Sequence, residues 1–173
     1  MKNRIFGLLV SLLSWSALSV SAAVEEFDGK EDRLRGHRRV LFHHEGREAW
    51  VVIPPKAAPG NPWVWRARFP AYHTEIDDEL VKRGYHIAHL DTGGMLGSPA
   101  AMKVWDGFYE RLVSGLALNP KVVLEGVSRG GLFIYNWAAR HPGRVACIYA
   151  DTPVLDFKSW PLGRRVGKGD PHT

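Results

Sequence analysis

The chain of 173 residues contains one cysteine, Cys147, and three methionines. A lone cysteine excludes an internal disulfide and any site built from clustered thiolates. Its place inside the apolar run Val145 to Ala150 predicts a buried small hydrophobe rather than a nucleophile or ligand. Long apolar runs are also scarce: only the stretch near the start exists, and it falls short of the ~20 residues a membrane span needs. No spacing of Asp, Glu, His and Cys matches a metal pattern, so neither a metal nor an organic cofactor is expected. His43 and His44 are adjacent, would point to opposite faces of a strand, and read as surface polar residues. Basic and aromatic residues are not interleaved as in a nucleic-acid module, which leaves nucleic acid out of the expected partners.

What is present starts with a leader. Lys2 and Arg4 precede an apolar, serine-diluted stretch from Ile5 to Val20, and Ser21-Ala-Ala offers a small-residue cleavage site. Residues 1–23 are therefore expected to be an export signal, with residues 24–173 forming one domain in a periplasm or outside the cell. No stable membrane span is expected once the signal is cleaved. Setting the leader aside lowers the formal charge from +5 to +3. The remaining excess is gathered in Lys158, Arg164, Arg165 and Lys168, read as a solvated tail.

Taken in order, residues 24–37 read as a polar, irregular lead-in. Val40-Leu-Phe and Trp50-Val-Val-Ile read as two antiparallel strands turning around Gly46. After a proline-rich connection, Trp63-Val-Trp-Arg-Ala-Arg-Phe reads as a strand closed by Pro70. Arg66 and Arg68 stand two apart near its end, where they would meet a carboxylate or phosphate, or form an internal salt bridge. Thr74 opens a helix that runs to about Arg83, and Tyr85 to Asp91 forms the next strand. Either His86 or His89 is expected half-buried and satisfied, not a ligand. The glycine-rich Asp91 to Gly97 segment ends that strand, where α/β sheets place ligands. Ser98-Pro99 starts a helix with a core stripe of Ala101, Val104, Trp105, Phe108 and Leu112. The alternation of strands and amphipathic helices predicts an α/β class, a mostly parallel sheet preceded by an antiparallel hairpin.

The most informative stretch is Val122 to Gly131. A short apolar run enters Gly126-Val-Ser128-Arg-Gly130, and a helical pattern follows at once to Arg140. Strand, sharp turn and helix around G-x-S-x-G are the setting of a nucleophile elbow. Ser128 is then the candidate nucleophile, and the amide of Arg129 one oxyanion donor. A second donor belongs on the loop after the Trp63 strand. Pro70 has no N–H and is excluded, which leaves Phe69 as the choice. Asp151 ends the following strand as a triad acid, a strand-end cap, or a partner for Arg66 or Arg68. The base is the gap. After Ser128 the chain has only His141 and His172. A helix of about ten residues at ~1.5 Å each separates His141 from the nucleophile, and His172 sits in a glycine-rich tail.

The Trp63 segment, Gly93-Gly to Ser98-Pro, Glu125-Gly-Val-Ser-Arg-Gly-Gly and Ala150-Asp-Thr-Pro-Val-Leu-Asp-Phe-Lys-Ser-Trp-Pro together resemble a group of secreted bacterial α/β-hydrolases. These are related to the dienelactone-hydrolase and prolyl-oligopeptidase-like branches. The resemblance runs from about Asp32 to Gly169. It implies the α/β-hydrolase fold and ester hydrolysis through a serine triad, with Ser128 matching the nucleophile and Arg129 the oxyanion residue after it. It also implies a small-molecule or acylated-sugar ester as substrate. Members of that group continue past Trp160-Pro with further strands that carry the triad acid and histidine. The chain ends at Thr173 without matching positions, so the resemblance implies a domain lacking its last strands and impaired in turnover. A noncatalytic remnant, or a carbohydrate-binding domain, on the same sheet is the alternative.

Overall fold

Two Xaa-Gly turns set the first part of the sheet. In the computed structural model, which describes residues 29–156 with Lys158 and Trp160, Arg35 and Gly36 take φ of 50° and 84°, and Glu45 and Gly46 take 49° and 74°. Paired positive φ values give the two-residue hairpin turn whose twist suits adjoining strands. These turns join β1 (Lys30–Leu34), β2 (His37–His44) and β3 (Arg47–Ile53) into an antiparallel meander. The antiparallel part is thus one strand larger than the sequence pattern indicates. Charge pairing across the strands explains β1. Arg39 faces Asp32 in register and bonds it at 2.6 Å, and Arg38 pairs with Glu31.

The rest alternates: β4 (Trp63–Arg66), α1 (Glu75–Lys82), β5 (His86–Leu90), α2 (Pro99–Gly115), β6 (Val122–Val127), α3 (Gly131–Arg140) and β7 (Val145–Asp151). The sheet order is β1-β2-β3-β5-β4-β6-β7, with β5, β4, β6 and β7 parallel. None of the described helices is long and apolar enough to cross a membrane.

Strand β4 shows why the layers form. Its alternate residues Trp63 and Trp65 face α2 and α3, where Trp65 stacks on Trp105 at 4.0 Å and meets Trp137 edge-on at 5.4 Å. Val64 packs on the opposite side with Trp50, Val52, Ile87 and Val81 of α1. Each fully buried indole removes roughly 200 Å² from water, an upper-bound transfer gain of about 5 kcal/mol. Helix α2 begins as its sequence indicates: Ser98 Oγ accepts from the Ala101 amide at 3.2 Å, and Pro99 occupies the first turn. Helix α1 does not use its cap in that way. Thr74 makes no side-chain cap bond, and Asp77 turns into the protein instead.

Three polar expectations change on folding. His44 is buried against the Phe108 ring at 5.6 Å rather than exposed, because α2 lies over that end of β2. His86 and His89 are both buried, with Nδ1 of each against a backbone carbonyl. Cys147 is exposed, not buried. Only one face of β7 is covered: Val145, Ile148 and Ala150 pack on the core, whereas Ala146, Cys147 and Tyr149 face outward. Apolar composition marked the strand correctly but did not reveal that, among the described residues, only one of its faces is covered.

Candidate active site

The site is built at the C-terminal ends of the central strands β4, β5 and β6. At the end of β6 the backbone reverses at Ser128, whose φ is 50°. A non-glycine residue in that region is strained and persists only when its surroundings enforce it. Two contacts do so. A Cβ on Gly126 would lie 2.6 Å from Ile134 Cδ1 and 3.1 Å from the Gly130 backbone. On the other side, the Val154 amide donates to the Ser128 carbonyl at 2.8 Å, so the chain leaving β7 clamps the turn. That crossing puts the tightest restriction on Gly131, where a Cβ would meet Val154 O at 2.6 Å and Pro153 Cβ at 2.7 Å. Gly130 has more room, with its nearest contacts at 3.6 Å. The crowded glycines are therefore Gly126 and Gly131, and only the first belongs to the motif's G-x-S-x-G frame. Ser128 itself stays half-exposed, with the N-terminus of α3 directly behind it, an end that favours negative charge.

The loop after β4 lies against this turn. Ala67 donates to Glu125 O at 2.9 Å and extends the β4–β6 pairing past the strand end. Phe69 then takes φ of 52°, and its carbonyl accepts from Tyr72 at 3.0 Å. Among the described residues its amide donates to no backbone carbonyl. The guanidinium of Arg129 lies 5.1 Å from the Phe69 ring and 5.6 Å from the Trp160 ring. Ser128, Arg129 and Phe69 are thereby brought to one end of the sheet.

The two arginines of the β4 segment part company. Arg66 is fully buried, paired with Asp77 and, at 3.1 Å, with Glu125, and it donates to the Tyr72 carbonyl. It lies under the loop rather than lining the site. Arg68 stays at the rim, 3.1 Å from Asp91 Oδ1. Asp151 is half-buried at the end of β7, beside Val127 in the ladder. Among the described residues it has no ion pair, and it partners neither arginine.

Electrostatically, the buried cluster is short of cations. Burial, reinforced by the neighbouring Asp77, raises the Glu125 pKa to about 8 against the pull of Arg66. Burial also depresses His89 to about 4, although its Nδ1 bonds Arg66 O at 2.8 Å. His89 is therefore neutral under ordinary conditions and a weak base. His141 caps the far end of α3, with Nε2 2.8 Å from Asp106 Oδ1. No described histidine hydrogen-bonds Ser128, and His172 lies outside the described residues. Among the described residues no group of His, Cys, Asp and Glu is arranged to hold a metal ion.

Sequence reading did not single out Thr92, Asp77 or Glu125. Thr92 was within reach, since it follows Asp91 in the loop already marked as a ligand position. The pairing of Arg66 with Asp77 was not, because it depends on how α1 docks.

No protein-family model and no curated protein matches the chain. Solved structures do. A cold-adapted esterase from an Arctic intertidal metagenomic library superposes with TM-score 0.53 at 16% identity, covering 71% of this chain and 62% of that one. Candida antarctica lipase A gives 0.53 at 15% identity, covering 79% and 41%. Porphyromonas gingivalis dipeptidyl peptidase 4 also gives 0.53 at 15% identity, covering 75% and 22%. The chain spans less than two thirds of the length of each. At these identities the likeness establishes a shared α/β-hydrolase-like fold, and that fold serves esterases, lipases and peptidases alike.

Proposed function

We propose that the chain is a serine-dependent carboxylic-ester hydrolase by design of its site, exported, and acting on a small-molecule or acylated-sugar ester. The observation that carries the reading is the left-handed, half-exposed Ser128 wedged between β6 and α3. Positive φ alone does not single it out, since Phe69, His73 and Leu96 in the other two βα connections share it. What is particular to Ser128 is that strand passes directly into helix there, with Gly126 and Gly131 crowded on either side. The fold shared with an esterase and a lipase agrees with it. The basic n-region and small-residue site of residues 1–23 support export.

In this reading Ser128 Oγ attacks the ester carbonyl. The developing oxyanion is held by the amides of Arg129 and Phe69, the alcohol leaves, and water releases the acyl group. Losing one oxyanion donor costs about 3 kcal/mol, whereas losing the base costs about 10⁴-fold or more in rate, up to about 10⁶-fold. The described residues offer donors for the oxyanion and no histidine base. Turnover is slow, limited by proton removal from Ser128, unless a base from outside the described residues reaches it. The alternative reading is a noncatalytic remnant, or a carbohydrate-binding domain, on the same sheet. A peptidase rests on shared architecture alone.

Rates of short-chain nitrophenyl ester hydrolysis, compared between the chain and Ser128→Ala, separate these readings. A slow rate that disappears in the variant supports the hydrolase. Equal rates remove serine catalysis from this chain.

A further inference from the structure

Beside the turn lies a cleft of about 100 Å³ lined by Arg68, Thr92, Gly94, Leu96, Arg129 and Phe133. Its polar side chains are two guanidinium groups and one hydroxyl. The Arg129 guanidinium lies over the rings of Phe69 and Trp160, and among the described residues it is paired with no acid. Its Nε is buried without a partner. Thr92 is fully buried, and its Oγ1 likewise has no partner. Arg68 approaches from the third side with Nη1 on Asp91 Oδ1, which leaves the rest of its fork. Buried polar groups are ordinarily satisfied within the protein or by what it binds. Two guanidinium ions, one of them with an unpartnered Nε, and one unpartnered hydroxyl around one small space are the complement of an anion.

Size and shape narrow the choice. At about 100 Å³ the cleft admits only a small group. That suits a planar carboxylate, which a guanidinium fork meets with two parallel N–H···O bonds. Phe133 and Leu96 supply apolar walls. The loop behind is fixed, since Met95 donates to Thr92 O at 3.1 Å and Asn136 Nδ2 to Gly97 O at 2.9 Å.

We infer that this cleft binds a carboxylate group of the substrate through Arg129, Thr92 and Arg68, which makes the ester acted on at Ser128 an anionic one. The carboxylate site stands on its own geometry, and only its attachment to an ester rests on the nucleophile reading. The test is calorimetric titration of the full chain with succinate, its neutral analogue succinamide and inorganic phosphate, repeated with Arg129→Gln and Thr92→Val. Succinate is expected to bind and succinamide not. Arg129→Gln should weaken succinate by about tenfold or more, the equivalent of one charge-assisted hydrogen bond. Thr92→Val, nearly isosteric, should weaken it by a smaller factor, and it keeps the test intact should Arg129→Gln not fold. Equal binding of succinate and succinamide, or succinate binding unmoved by both substitutions, overturns the site. Tighter binding of phosphate than succinate overturns the carboxylate assignment. Hydrolysis of mono-para-nitrophenyl succinate against para-nitrophenyl butyrate completes the comparison. Faster cleavage of the charged ester supports the inference and equal cleavage contradicts it. Failure of the nucleophile reading shows differently: Ser128→Ala then changes neither rate, while the calorimetric result stands.

Discussion

Two arginine-bearing regions flank the Ser128 turn, and they differ in how far the protein satisfies its own charges. On the α1 side, Arg66 is enclosed with Asp77 and Glu125 and tied to the Tyr72 carbonyl. On the α3 side, Arg129 lies between two aromatic faces with no acid partner among the described residues. The first arrangement consumes the guanidinium within the fold and braces the loop that carries Phe69. The second holds a guanidinium in place while leaving its Nε without a partner. Two residues of one type, both near the same turn, are thus given opposite tasks by their surroundings.

The contrast is broken most severely at Arg66. Arg66→Met should cost about 3–5 kcal/mol in urea denaturation, because Glu125 then loses its cation and the buried Asp77 keeps only Arg35, 3.8 Å away. A cost under 1 kcal/mol would mean that the cluster does not brace the fold. Next in size is Gly126→Ala, expected to lose about 1–3 kcal/mol as its Cβ drives into Ile134. Gly130→Ala should be neutral or slightly stabilising, since its Cβ meets only ordinary contacts at 3.6 Å and its backbone is already helical. Matching losses at both glycines would contradict the asymmetry of the turn.

A pH series probes the same cluster. Glu125 holds its proton in the folded chain up to about 8, but the unfolded chain releases it near the ordinary carboxylate value of 4.5. Between those two pH values the folded state binds more protons, so its stability falls as pH rises, by up to about 1.4 kcal/mol per pH unit. Glu125→Gln should flatten that slope, which denaturation midpoints across the window measure. His89 acts on the acid side. Its depressed pKa means that stability is lost as pH falls from 6.5 to about 4. In the other region the effect is small: Arg129→Gln should change stability by about 1 kcal/mol or less, the worth of its contacts with the Phe69 and Trp160 rings, since no buried acid depends on it.

How much of this was legible in sequence depended on whether the deciding contact was local. The turn at Ser128 was, because strand, glycine spacing and helix all sit within a few residues of one another. So was the start of α2, fixed by Ser98 and Pro99. The antiparallel-plus-parallel sheet followed from the alternation of elements. β1 was missed because charge pairs, not apolar alternation, hold its residues to β2. Cys147 was misjudged because apolar character cannot tell an edge strand covered on one face from one covered on both. Arg66 was left between two fates, since its partner Asp77 arrives only when α1 packs against the sheet.

The most direct test of the whole account is intact-mass spectrometry after prolonged exposure to a fluorophosphonate. One adduct per chain, mapped to Ser128 and absent from Ser128→Ala, is the expected result. No adduct at all, or an adduct that survives the substitution, would contradict the claim that this turn presents a nucleophile.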